Sequence, residues 1–196
     1  MREIPQFISG ADLLPLLPHR GKLFLLSRVT AHNVAENTIC TEYDVTRNCI
    51  FYDAELEGIP TWAGFEFMAQ SIAALTSIRQ LSLDLPPPPP GVILSVSAFS
   101  SAQAVLPLGC VVQTKVHEDY RADDLSRYTC ELTIKGNGAS CGTGNTAGNG
   151  TANGTGNALG GGNTNAPLAT ATMTVMSIAD MHTFFKREPR KTSVLP

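Results

Sequence analysis

GIPTWAGFEFMAQSIAALTSIRQ, residues 58–80, decides the fold. Glu66 is its one charged residue before Arg79. From 60 to 78 the run is apolar or small on nearly every side, and a helix hydrophobic all round is a buried helix. The pattern predicts one long helix over residues 60–83. Pro60 suits the first helical position, where a missing N–H is no loss, and five prolines, 86–90, stop the helix. A carboxylate leaves water only at considerable cost unless it is paired or protonated. Glu66 is therefore expected as a single acid inside the core, and an acid so placed is a candidate for chemistry.

On either side of this helix the pattern is that of strands. Residues 11–17 form a short apolar turn or helix, capped by Ser9 and closed by Pro18. Residues 22–31 and 38–45 read as two strands, and 48–58 as a loop. The proline run is a stiff spacer that carries the chain onward. Beyond it, residues 92–104, 110–117, 126–135 and 169–178 alternate with period two, with a turn at 106–109. Two strands, one long helix and four strands make an α+β order. The expected architecture is a six-stranded antiparallel sheet wrapped round one central helix. Residues 136–165 are nearly all Gly, Asn, Thr and Ala, with almost nothing to bury. They are expected to be a disordered insertion in a surface turn, which loop-closure entropy tolerates. The whole chain, 1–196, is expected to be one domain with a basic tail at 182–196.

Composition narrows the function. A 43% hydrophobic content supplies a real core, and a net charge of -3 gives nucleic acid no bulk attraction. No apolar run reaches the length of a membrane span, and the first residues lack the pattern of a signal peptide. Five cysteines without a C-x-x-C pair predict reduced thiols and a cytoplasmic protein. No histidine has a partner at metal-ligand spacing, so no metal is expected. The glycines of 136–165 lack the strand, helix and lysine of a phosphate cradle. No cofactor is expected.

At 100° per residue Glu66 shares its face with Trp62, Ala69, Gln70, Ala73 and Ser77. Most of these are small, which leaves room for a narrow channel. Trp62 is expected to cap it, and the Gln70 amide to reach Glu66 from one turn below. A carboxyl deprived of water holds its proton toward neutral pH and can serve as a general acid. The helix start, Pro60, Thr61, Trp62, Ala63 and Gly64, is expected to offer unpaired backbone N–H groups to a carbonyl on which negative charge develops. The plainer alternative makes Glu66 a structural acid satisfied by a backbone N–H or an arginine. Likewise His19 either supplies an imidazole or merely fixes its turn, with Arg20 pairing a carboxylate.

Residues 16–21, LLPHRG, followed by LFLLSRV at 23–29, resemble the LLPHRxPFLLVDRV opening of hot-dog-fold 3-hydroxyacyl-(acyl carrier protein) dehydratases. EFMAQ at 66–70 resembles the E-A-M-A-Q of that family's catalytic helix, and LPLG at 106–109 its V-x-P-G turn. IPTWAGFEFMAQSIAA is similar to the P-A-W-x-G-x-E-x-M-A-Q stretch of ApeP-type dehydratases of aryl polyene biosynthesis. The resemblance covers about residues 11–135 and 167–178. It implies a hot-dog fold and loss of water from a 3-hydroxyacyl thioester carried on acyl carrier protein. The family's acid carries over as Glu66, its glutamine as Gln70, and its carbonyl-binding peptide groups as residues 60–64. Its loop histidine does not carry over. Tyr52 stands at that place with Asp53 beside it, so Asp53 and His19 are the candidates for a base. Three readings follow: a dehydratase using Glu66 with Asp53 or His19, a non-catalytic acyl-binding subunit of a heteromeric dehydratase, and a hot-dog acyl thioesterase. Each implies a homo- or hetero-oligomer with another hot-dog subunit. The KREPRK stretch, 186–191, is read as a solvated tail or a contact for an acidic carrier protein.

Overall fold

The computed structural model describes residues 2–135 and 166–179. The insertion at 136–165 and the tail at 182–196 lie outside the described residues. The long apolar run folds as α1, Gly64–Ser82, entered through a 3-10 turn, Thr61–Ala63. Phe67, Ser71, Ala74, Leu75 and Ile78 recur at intervals of three and four and are buried as one stripe. That stripe lies against β3 (Thr38–Asp44), β7 (Val111–Ala122) and β8 (Leu125–Ile134). Tyr43 stacks on Phe67 with ring centroids 4.7 Å apart. The Ser71 and Thr41 hydroxyls meet at 2.7 Å, so two polar groups inside the core satisfy each other. Gly64 begins the helix where it comes closest to the sheet. A Cβ at Gly64 would run into the Leu132 side chain.

The main sheet also contains β1 (Ile8–Ser9), β2 (Arg28–Asn33), β5 (Gly91–Ser101) and β9 (Ala169–Ser177). Its order is β1-β2-β3-β7-β8-β9-β5, antiparallel throughout. One long helix cradled by an antiparallel sheet is the hot-dog arrangement. Among the described residues the sheet has seven strands rather than six, because Ile8–Ser9 adds a short edge to β2. At the opposite edge, β5 presents Leu94, Val96 and Phe99 exposed. No helix among the described residues is long and apolar enough to cross a membrane.

Local details differ from the sequence expectations. Pro60 is not the first helical residue; it ends β4 (Gly58–Pro60), which pairs with β6 (Val105–Pro107). The expected turn at 106–109 therefore shrinks to its last two residues, with Gly109 at φ 81. The apolar run 22–31 is strand only from Arg28 onward. Its first part opens as a 3-10 turn, Gly21–Leu23, and is tied to the helix instead of to a neighbouring strand. Ser9 precedes a 3-10 helix, Gly10–Leu16, but its side chain caps nothing. Cys49, Cys110 and Cys130 carry free thiols, whereas Cys40 is disulfide-bonded, which corrects the expectation of reduced cysteines at that position.

Candidate active site

The face of α1 turned away from the sheet carries Glu66, Ala69, Ala73, Thr76 and Ser77, and it lines a cavity of about 480 Å³. That volume is typical of a small-molecule site. The opposite wall brings His19 to Glu66, with Nε2 3.6 Å from Oε1. Glu66 is 23% exposed and His19 30%, so the acid is not sealed in the core as its sequence setting implied. The reason is the division of α1 into two faces. Its large side chains go to the sheet, and its small ones leave open space beside the carboxylate.

Three tethers fix this meeting. Ser77 Oγ donates to the Leu16 carbonyl at 2.8 Å, which pins the segment before His19 to the helix. The Gln70 amide pins the segment after it. Gln70 Oε1 accepts from the Leu25 N–H at 2.9 Å, and Nε2 donates to the Leu23 carbonyl at 2.8 Å. Nε2 also donates to Glu66 Oε1 at 2.9 Å, so one buried amide orients the acid and holds the loop opposite it. Among the described residues Arg20 takes no carboxylate; its Nη1 donates to the carbonyl oxygens of Leu17 and His19, tightening the turn. His19 Nδ1 is buried and has no hydrogen-bond partner among the described residues.

The remaining candidates fall elsewhere. Asp53 does not line the cavity. Its Oδ1 accepts the N–H groups of Glu55 and Leu56 at 2.8 and 3.2 Å, and its backbone bridges Gly58, which makes it the cap of a loop turn. Trp62 is not a lid over Glu66. The 3-10 turn breaks the helical phase before Gly64, and Trp62 stays 57% exposed with its ring edge-on to Phe51.

Within the expected cradle of peptide donors at the helix start, two N–H groups are already engaged. Pro60 has no N–H. The Thr61 N–H goes to the Ala104 carbonyl at 2.9 Å, and the Gly64 N–H turns back to the carbonyls of Thr61 and Trp62. The Ala63 side chain is fully buried, and Gly64 serves close packing on Leu132. Of the expected substrate-binding residues, Gln70 is thus the one joined to Glu66, and it acts from behind the cavity wall.

Sequence reading missed the far lining. Pro87–Pro90, Arg121, Ser126 and Tyr128 close the other end of the cavity. Nothing in their local pattern marks them. Only the return of the β7–β8 hairpin past the end of α1 brings them there.

A family model described as ApeP-like, ApeP dehydratase, matches residues 11–148. The chain is 23% identical over 128 residues to the 3-hydroxyacyl-[acyl-carrier-protein] dehydratase FabZ of Lactobacillus helveticus (strain DPC 4571), across 65% of this chain and 84% of that protein. Its fold is similar to that of the dehydratase heterocomplex ApeI:P from Xenorhabdus doucetiae. The TM-score is 0.63 at 17% identity, covering 90% of this chain and 93% of that chain.

Proposed function

Because the chain belongs to the ApeP-like family of dehydratases, we propose that it removes water from a 3-hydroxyacyl thioester carried on acyl carrier protein, in the cytoplasm, with Glu66 and His19 as its catalytic couple. The observation that carries this is the His19 Nε2–Glu66 Oε1 approach of 3.6 Å at the wall of a cavity sized for an acyl chain. The gap is too long for a direct hydrogen bond. It leaves both groups free to face a substrate. His19 Nε2 takes the α-proton while the Glu66 carboxyl protonates the leaving C3 hydroxyl. The C3–O bond breaks, the Cα–C3 double bond forms, and water departs. Return of the proton from His19 to Glu66 closes the cycle. Gln70 is a positioning residue for the acid.

A second reading has a specific observation behind it. The exposed apolar edge of β5 is a surface on which another hot-dog sheet can pair, and one solved protein of similar fold is a heterocomplex. We infer that the chain works beside a second hot-dog subunit, which helps to enclose the tunnel. The test incubates the purified chain with 3-hydroxyacyl-carrier protein, alone and with a hot-dog dehydratase subunit, and resolves enoyl thioester from free acid by mass spectrometry. Enoyl product that disappears in Glu66→Gln is the expected result. Free acid would point to a thioesterase. Turnover that needs the second subunit and survives Glu66→Gln would reduce this chain to a binding role.

A further inference from the structure

The cavity differs chemically between its two ends. Glu66 and His19 occupy one end, and Ala69, Ile72 and Ala73 make an apolar middle. Thr76 lies ten residues along α1 from Glu66, about 15 Å at the rise of a helix. Around it the lining is polar again. Tyr128 and Ser126 are buried there, with Thr76 and Ser126 beside the Tyr128 hydroxyl, which donates to Glu118 Oε1 at 3.3 Å. Arg121 lines the same end and gives its Nε to Glu118 Oε1 at 2.7 Å. Its terminal nitrogens have no partner among the described residues. Arg79 pairs the other oxygen of Glu118. Two guanidinium groups thus face one carboxylate, and of the two Arg121 is the one that lines the cavity. Pro87–Pro90 form part of the wall there and supply no N–H, so the donors left at that end are the terminal nitrogens of Arg121 and the Ser126 hydroxyl.

A methyl-ended chain reaching this point would displace water from a guanidinium and return no hydrogen bond. An acceptor group would restore those bonds, and a charged donor strengthens them. We propose that the far end of the cavity selects acyl chains ending in a hydrogen-bond acceptor, a hydroxyl or a carboxylate, with Arg121 as the specificity-determining residue. This rests on the reading that the cavity holds an acyl chain. It concerns recognition of the chain end, a step separate from the chemistry at Glu66.

Isothermal titration calorimetry on the full chain tests it. The ligands are amide analogues of dodecanoyl-pantetheine, which cannot be hydrolysed, ending in methyl, hydroxyl or carboxylate. At least one acceptor-ended analogue should bind about tenfold or more tightly than the methyl-ended one, as expected for a hydrogen bond to a charged group. In Arg121→Met the ratio should fall to within about threefold. Tyr128→Phe, with the guanidinium intact, should keep a preference for the carboxylate. The wild-type comparison stands even if a variant fails to fold. Tightest binding of the methyl-ended chain, equal binding of all three, no binding at all, or a preference unchanged in folded Arg121→Met would overturn the proposal. Parallel turnover of the matching 3-hydroxyacyl thioesters separates the two ideas. Selective binding without enoyl product sinks the dehydration reading alone, and enoyl product without selectivity sinks this one alone.

Discussion

Gln70 shows how much one side chain can do. Its amide oxygen and nitrogen reach Leu25, Leu23 and Glu66, with the whole residue buried. Replacing it by leucine would strand the Leu25 N–H and release the loop that carries His19. The expected loss is about 1–3 kcal/mol of stability, the cost of an unsatisfied buried group. It should come with a fall in kcat larger than any change in KM, because the acid loses its orientation. Denaturant melts and steady-state kinetics on Gln70→Leu would check both. The Glu66–Gln70 contact was legible in the sequence, since residues four apart on a helix are neighbours. The sequence offered His19 and Asp53 as partners for Glu66, but the contact that selects His19 was not legible. It spans 47 positions and depends on tethers at Leu16, Leu23 and Leu25 that no local pattern announces.

At the scale of elements, the start of α1 is where sequence and structure part. Proline at the head of an apolar run fits the first turn of a helix as well as the end of a short strand. Pairing of β4 with β6 selects the strand; the Thr61 N–H then goes to the Ala104 carbonyl and the Gly64 N–H turns back into a 3-10 turn. Gly64 follows from the same geometry. Gly64→Ala should destabilise the fold by about 1–3 kcal/mol through overpacking against Leu132. Leu132→Ala in the same chain should recover part of that loss, a non-additivity readable from a double-mutant cycle of thermal melts. The β5 edge makes a second case. A bulge in its pairing with β9, where Ala98 takes φ 51, interrupts an otherwise long exposed strand. Val96→Lys should weaken association with a hot-dog partner while leaving the melting temperature of the isolated chain nearly unchanged. Analytical ultracentrifugation would show a smaller assembly, and undiminished assembly would count against β5 as the pairing edge.

For the whole molecule, two buried carboxylates link the fold to pH. Burial works to raise Glu118, but the Arg121 hydrogen bond and the Arg79 charge outweigh it and hold the carboxyl below its ordinary 4.5. Glu42 is likewise raised by burial and lowered further by Arg28 and Lys135, again with a net fall below 4.5. In both, the folded value lies below the unfolded one. Their stabilisation is therefore present above about pH 4.5 and lost as pH falls through the folded values. Melting temperature should stay level from neutral pH down to about 5 and then drop steeply, with a shallower drop in Glu118→Gln. The long helix and six of the strands could be read from hydrophobic period, whereas the short strands β1, β4 and β6 could not, because two or three residues carry no period. The cavity could not, because its far wall is assembled from Pro87–Pro90, Arg121 and Tyr128 only when the sheet closes. The most direct measurement of whether Glu66 and His19 form one couple is the rate of enoyl-thioester formation in a double-mutant cycle, run with whatever hot-dog partner turnover requires. Glu66→Gln and His19→Gln should each cost about 100- to 10,000-fold, and the double variant little more than either. A His19→Gln enzyme at the wild-type rate, or two losses that simply multiply, would contradict the couple.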